Sequence, residues 1–200
     1  MCKRRIPLVC AGLLLVASFA GVVRVELVGW WKLDETSGVT VADSSGNGND
    51  GSCQGTVTWV PGQIGGAWQA NGTNSTIRIP HHDVLNIPET VTVSMWVNTS
   101  TTSGSHQLIE KGGTAGSAWY SAYGFRLEGD RRIRIQWNNA AWYSNTAVQA
   151  GTWTHVAVTF DFNAGANNRK VYLNGVLDAE GTYSLQMTTN TFDVVLGYGT

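Results

Sequence analysis

The chain has 200 residues, enough for one domain with a sizeable core. Charged residues make up only 14%, Gly numbers 24, Trp 9, and the net charge is −1. A balance so close to neutral excludes a broad field aimed at nucleic acid or an anionic membrane surface, and scarce charge with aromatic and β-branched enrichment points to strands joined by glycine-rich turns.

Residues 1–20 have the layout of a secretory signal peptide. Lys3, Arg4 and Arg5 form a positive head, Ile6 to Ala20 is almost wholly apolar, and Ser18 and Ala20 supply small residues before a cut at Gly21. The competing reading is an uncleaved anchor, because apolar character continues through Val23; the stretch is marginal for a bilayer core of about 30 Å. A lipoprotein reading fails, since Cys10 follows Pro7, Leu8 and Val9 rather than a small-residue box. The expected organisation is a leader at 1–20, a short segment at 21–26 and one domain over 27–200, in a secreted or cell-surface protein without a membrane span after cleavage. Cys2 and Cys10 lie in the leader, so Cys53 stands alone and no internal disulfide is expected.

The predicted strands then follow in order. Leu27–Leu33 is first and runs into a loop dense in Asp, Ser, Asn and Gly. Thr56–Val60 and Gly66–Ala70 flank Pro61-Gly62, and Thr76–Ile79 ends at Pro80. His82–Leu85 suits a single helical turn. In Val91–Val97, Val91, Val93, Met95 and Val97 face one way. His106–Lys111 is short. Tyr123–Leu127 and Arg132–Trp137 form a hairpin across Glu128-Gly129-Asp130-Arg131, with Arg132, Arg134 and Gln136 on the wet face. Asn138–Ala150 reads as a long aromatic-bearing loop. Trp153–Asp161 alternates through Val156, Val158 and Phe160. Val171–Leu173 and Val176–Ala179 flank Asn174-Gly175, the strongest hairpin turn in the chain, and Val194–Gly197 is last. No window carries a helical stripe. About a dozen short strands with regular turn signals predict an all-β antiparallel two-sheet sandwich.

The first loop places Asp43, Ser45, Asn47 and Asn49 at alternate positions, with Gly48 where the backbone must curl. Oxygen ligands so spaced suit calcium (Ca2+), with Asp34 and Asp50 in reserve; the competing reading is a loop whose side chains cap its own backbone. Residues 46–51 spell G-x-G-x-x-G without the strand before and helix after that a dinucleotide site needs. An EF-hand fails because Gln54 stands at the twelfth position.

Several segments in this order carry a family resemblance: Trp30-Trp31-Lys32-Leu33-Asp34-Glu35 leading to Asp43-Ser44-Ser45-Gly46-Asn47-Gly48-Asn49; Gly62-Gln63-Ile64-Gly65-Gly66-Ala67; Val91 to Val97; Gly151-Thr152-Trp153-Thr154-His155-Val156-Ala157; and Val171-Tyr172-Leu173-Asn174-Gly175. Together they resemble the LamG-like jelly-roll domains of the concanavalin A-like lectin and glucanase superfamily. The resemblance implies two curved antiparallel sheets packed face to face, calcium near the first loop, and binding of carbohydrate or an extracellular protein. Trp96, Trp153 and Trp30 match core positions of such domains. Members usually finish with a strand like G-x-I-D-E-V-R-I-Y beside the first strand. This chain stops at Thr200, so it reads as a domain truncated at its C-terminus, with Leu27–Leu33 open along one edge.

Candidate ligand residues are Trp119, Trp137, Trp142 and Tyr143, whose ring faces would stack on sugars, with Asn138 and Arg134 serving hydroxyls; burial is the competing reading for every aromatic. Arg131, Arg132 and Arg134 read as a solvated strand face, or as a small polyanion site. Catalytic sets are poor. No E-x-D-x-E pattern supplies paired acids, and Glu110, Glu128 and Glu180 are scattered. His81-His82-Asp83 reads as a surface turn, and no nucleophile elbow accompanies the Ser and His residues. Asn71, Asn74 and Asn98 head N-x-S/T sequons, which matter only where secreted proteins are glycosylated. The expectation is a secreted, non-catalytic binding module. The rivals are a glycoside hydrolase of the same superfamily and a structural spacer.

Overall fold

The structure is a computed structural model that describes residues 13–17, 26–100, 104–112, 121–138 and 140–197. Its strands, in chain order, are β1 Leu13–Ala17, β2 Glu26–Trp31, β3 Thr40–Val41, β4 Gly51–Gln54, β5 Trp59–Pro61, β6 Gly66–Trp68, β7 Thr76–Ile79, β8 Thr90–Val97, β9 His106–Lys111, β10 Ser121–Leu127, β11 Arg132–Asn138, β12 Ala140–Ala147, β13 Thr154–Asp161, β14 Arg169–Leu173, β15 Val176–Gly181 and β16 Val194–Leu196. The six-stranded sheet runs β15-β14-β13-β8-β1-β2 and the eight-stranded sheet β12-β11-β10-β9-β16-β7-β4-β3, with β5-β6 as a separate ribbon. The paired strands are antiparallel throughout. The expected all-β sandwich is the fold observed.

Period-two alternation builds the core between the sheets. Val91, Val93 and Val97 of β8 and Val156, Val158 and Phe160 of β13 are buried from one side. Ile77, Ile79, Ile109, Phe125, Ile133, Ile135 and Trp137 meet them from the other within one apolar cluster. The predicted Asn174-Gly175 turn has φ of 52° and 81°, as a two-residue hairpin of this hand requires.

Four expectations change. Asn138–Ala150 is not a loop, since Ala140–Ala147 is edge strand β12, with Trp142 and Ser144 inward and Ala141, Tyr143 and Asn145 outward. One bulky apolar residue among polar ones gave the alternation too little contrast to show. Trp31, wholly buried, rather than Trp30 enters the core. Gly29 makes the space, because a Cβ there would overlap the Trp31 indole. Trp96 and Trp153 are half-buried, and Trp96 stacks on His155 with centroids 5.2 Å apart. Finally, β1 falls within the segment that reads as a leader, yet its backbone pairs with β2 on one side and β8 on the other. In this structure β1 covers the Leu27–Leu33 edge expected to be open. Cys53 is buried, and burial together with the nearby Glu35 charge pushes its thiol up to about 11, so it is an inert core group.

Candidate functional site

Strands β9, β10 and β11 turn one face to the core and the other outward. Tyr123, Phe125 and Leu127 point in from β10, as do Ile133, Ile135 and Trp137 from β11. The outward positions therefore fall to Gly124 and Arg126, and to Arg132, Arg134 and Gln136. Register brings Gly124 opposite Glu110 of β9 and Gln136 of β11, and Arg126 opposite Gln107 and Arg134. A bulge between Phe125 and Arg126 displaces the pairing by one residue and restores Gln107 to the outward face. Gln107, Glu110, Gly124, Arg126, Arg134 and Gln136 line a shallow depression.

Gly124 is its floor. It is buried, as are Gln107, Glu110 and Gln136 beside it, and a Cβ there would make ordinary contact with Glu110 and the Ile109 carbonyl at 3.6–3.8 Å. The walls carry ion pairs. Arg126 Nη2 lies 3.6 Å from Glu110 Oε2, and Arg134 Nε lies 3.8 Å from Glu128 Oε1. Arg132 Nε donates to Asp130 Oδ2 at 2.7 Å, and its guanidinium lies 5.1 Å from the Tyr143 ring centre. Hydrogen bonds from Arg132 hold the Asp130 carboxyl below its ordinary value. Gln107 Nε2 and Gln136 Nε2 donate to the Ile109 and Asn138 carbonyls of their own strands, which fixes both amides flat against the sheet.

Of the ligand residues proposed from sequence, Arg134 lies in this depression, and Tyr143, paired opposite it and 40% exposed, borders it. Trp137 and Trp142 are corrected to core residues. Trp137 is fully enclosed, with Phe160, Trp142 and Tyr183 rings 4.7, 5.8 and 6.0 Å away. Trp142 packs beside it under the Arg169 guanidinium. Neither offers a ring face to a ligand, because the inward set of β11 and β12 takes both. Asn138 is spent on structure: its side chain bonds Tyr183 Oη, the Gln186 carbonyl and the Thr188 N–H, pinning the 183–188 segment. Trp119 lies outside the described residues.

Sequence reasoning missed Gln107, Glu110, Gly124, Arg126 and Gln136 as site residues. Their signal was present in the wet-face alternation of the β10–β11 hairpin and in a glycine inside a strand. Glu110, read from sequence only as one of three scattered acids, lies within β9.

The Asp43 loop does not assemble a calcium site. Asp43 Oδ1 accepts from the Trp30 and Ser45 N–H groups, and Oδ2 from Ser45 Oγ and the Asn49 N–H. Four donors occupy the carboxylate, while Asn47 and Asn49 turn their amide nitrogens onto the Leu27 and Val28 carbonyls. Burial pushes the Asp43 carboxyl up, but these bonds outweigh it and hold the pKa below the ordinary carboxylate value. Among the described residues no group of three or more His, Cys, Asp or Glu could hold a metal. Asp43, Ser45, Asn47 and Asn49 therefore form a self-capped loop stitched to β2, and the residues present do not fit calcium.

Other polar clusters are structural. His82 Nδ1 caps the Asp83–Leu85 turn by accepting from the Val84 N–H. Buried Lys111 donates to the Phe192 carbonyl at 2.7 Å and sits 3.1 Å from His81 Nδ1; burial pulls it down to about 8. Ser94 Oγ and His155 Nε2 are 2.7 Å apart on the other sheet, away from the depression. On the depression itself Glu110 and Glu128 each engage a guanidinium.

Among solved structures, domain 4 of AbnA, a GH43 extracellular arabinanase from Geobacillus stearothermophilus, in complex with arabinotriose, is 25% identical over 78% of this chain and 77% of that one, with a TM-score of 0.59. The botulinum neurotoxin serotype G binding domain (16% identity, TM-score 0.56) and a Trypanosoma rangeli sialidase (14%, 0.58) share the fold over 93% of this chain, which spans 46% and 26% of theirs. No curated protein matches. No helix among the described residues is long and apolar enough to cross a membrane. The family model described as Concanavalin A-like lectin/glucanases superfamily matches residues 71–200, a stretch that holds every strand of the polar face, and the chain belongs to that family.

Proposed function

We propose that this protein is a non-catalytic carbohydrate-binding module acting outside the cell, and that it holds its glycan across the outward face of β9, β10 and β11. The observation that carries this reading is the polar outward face, where Arg132, Asp130, Arg134 and Glu128 reach solvent beside the 40% exposed Tyr143 ring and above the buried Glu110 and Gln136. Sugars present vicinal hydroxyls that both donate and accept, and a ring of carboxylate, amide and guanidinium groups serves both roles. The likeness to a domain of an extracellular arabinanase described in complex with arabinotriose supports a glycan ligand and a place outside the cell, reached with Leu13–Ala17 kept as β1 rather than removed with a leader.

A glycan array probed with the full chain tests this. Arg134→Ala is expected to weaken binding of any hit about tenfold, roughly 1.4 kcal/mol, as loss of one charged hydrogen-bond donor would do. Its melting temperature should fall only modestly, because the Arg134–Glu128 contact is loose at 3.8 Å. Hits that ignore Arg134→Ala would place the ligand elsewhere. Turnover of a bound glycan, abolished by Glu110→Gln, would replace the binding reading with the hydrolase one.

A further inference from the structure

Four arginines on the outer face of the eight-stranded sheet are each matched by a carboxylate. Arg126 faces Glu110, Arg134 faces Glu128, Arg132 holds Asp130, and across the sheet Arg78 Nη1 lies 3.4 Å from Asp193 Oδ2. Each of these four guanidiniums has a carboxylate of this chain within 4 Å, so these four do not add up to a positive surface. From this we infer that the ligand is a neutral oligosaccharide and that uronate-bearing or sulfated chains are rejected. The inference rests on the glycan-binding reading above and specifies its ligand class.

The discrimination is electrostatic. An acidic sugar laid on this face sets its anion beside Glu110 or Glu128, which already hold the guanidiniums it would need. Like charges at that separation repel, and displacing either glutamate trades one ion pair for another while leaving an unmatched carboxylate in the face. A hydroxyl meets no such conflict, because it can donate to a glutamate oxygen and accept from a guanidinium N–H of the same pair. An ion-paired face thus favours the neutral polyol and disfavours the anion by the same geometry.

The test is a panel in which each acidic polysaccharide, pectic galacturonan and alginate among them, stands beside its carboxyl-reduced form and beside neutral arabinan, xylan and β-glucan oligosaccharides. The full chain is expected to bind only neutral or reduced members, at least tenfold better than any acidic counterpart. Binding should change less than twofold between low salt and about 0.5 M NaCl, since few counterions are released from a balanced face. The double variant Glu110→Gln/Glu128→Gln removes the matching charges and is expected to gain salt-sensitive binding of the acidic members. Acidic hits on the wild type that weaken in salt and in Arg134→Ala would overturn the inference while leaving the glycan reading intact. A panel with no hit of either kind, from a protein that melts cooperatively, would sink the glycan reading and the inference with it.

Discussion

Asp43→Ala is expected to destabilise the protein by about 2–4 kcal/mol, by the same amount in calcium as in chelator. Hydrogen bonds to a charged group contribute roughly 1.5–3 kcal/mol each and are not additive. Four donors converge on this carboxylate, and three are backbone N–H groups with no substitute acceptor once it is gone. The loop they hold is coupled to the core, since the Asn49 carbonyl accepts from the buried Trp31 indole and Asn49 Nδ2 donates to the Val28 carbonyl. A fall of about 5–12 °C in Tm follows for a chain of this size. The sign with pH is fixed as well. Asp43 has a folded pKa below its unfolded value, near 3.9, so its stabilisation is in full force above about pH 4 and fades as pH falls through the folded value. Wild type and variant should therefore converge in strong acid. A calcium-induced rise in Tm that Asp43→Ala removes would restore the metal reading.

Beginning the chain at Glu26 is expected to have a still larger effect. Strand β1 makes five register pairs with β2 and four with β8, and among the described residues no other strand joins β2 to the sheet. Without it, two inner edges lose their partners at once. At roughly 0.5–1.5 kcal/mol net for each ladder hydrogen bond, the loss is on the order of 5 kcal/mol, comparable with the entire stability of many domains. The shortened chain should unfold without a cooperative transition, or recover one only as a dimer that fills the gap. Calorimetry with sedimentation distinguishes these outcomes. A shortened monomer that melts like the full chain would show that β1 adds nothing to the fold.

Where the sequence alternated cleanly, the structure followed it. The buried valines of β8 and β13 and the wet arginines of β11 stood on opposite parities of short runs, and Asn174-Gly175 named its own turn. The paired Trp30 and Trp31 gave no parity of their own; Gly29, by clearing space for one indole, decided which of them entered the core. Strand β12 was hidden because its inward set combines Trp142 with Ser144, whose hydroxyl accepts from the Ile133 N–H and donates to the Thr146 carbonyl. The same limit governed the candidate site. Aromatics were sought there because sugars stack on rings, but ring burial depends on the partner sheet, which the linear chain does not display. The polar set that remains outward is drawn from β9, β10 and β11, and it becomes one place only through register and a bulge. Oxygen spacing in the Asp43 loop fitted a metal and a self-capped turn equally well, and the direction of its backbone N–H groups decided for the turn.

Calorimetric titration of the intact protein and of Gly124→Val, with the best neutral oligosaccharide from the panel, bears most directly on the polar face. A Cβ at this position makes ordinary contact at 3.6 Å and valine raises strand propensity, so the variant should keep a cooperative melt. Its added methyls stand between Glu110 and Gln136 and push against the side chains that build the polar face. Wild type should bind and Gly124→Val should not. A variant that binds as tightly as wild type would mean the ligand sits elsewhere on the molecule.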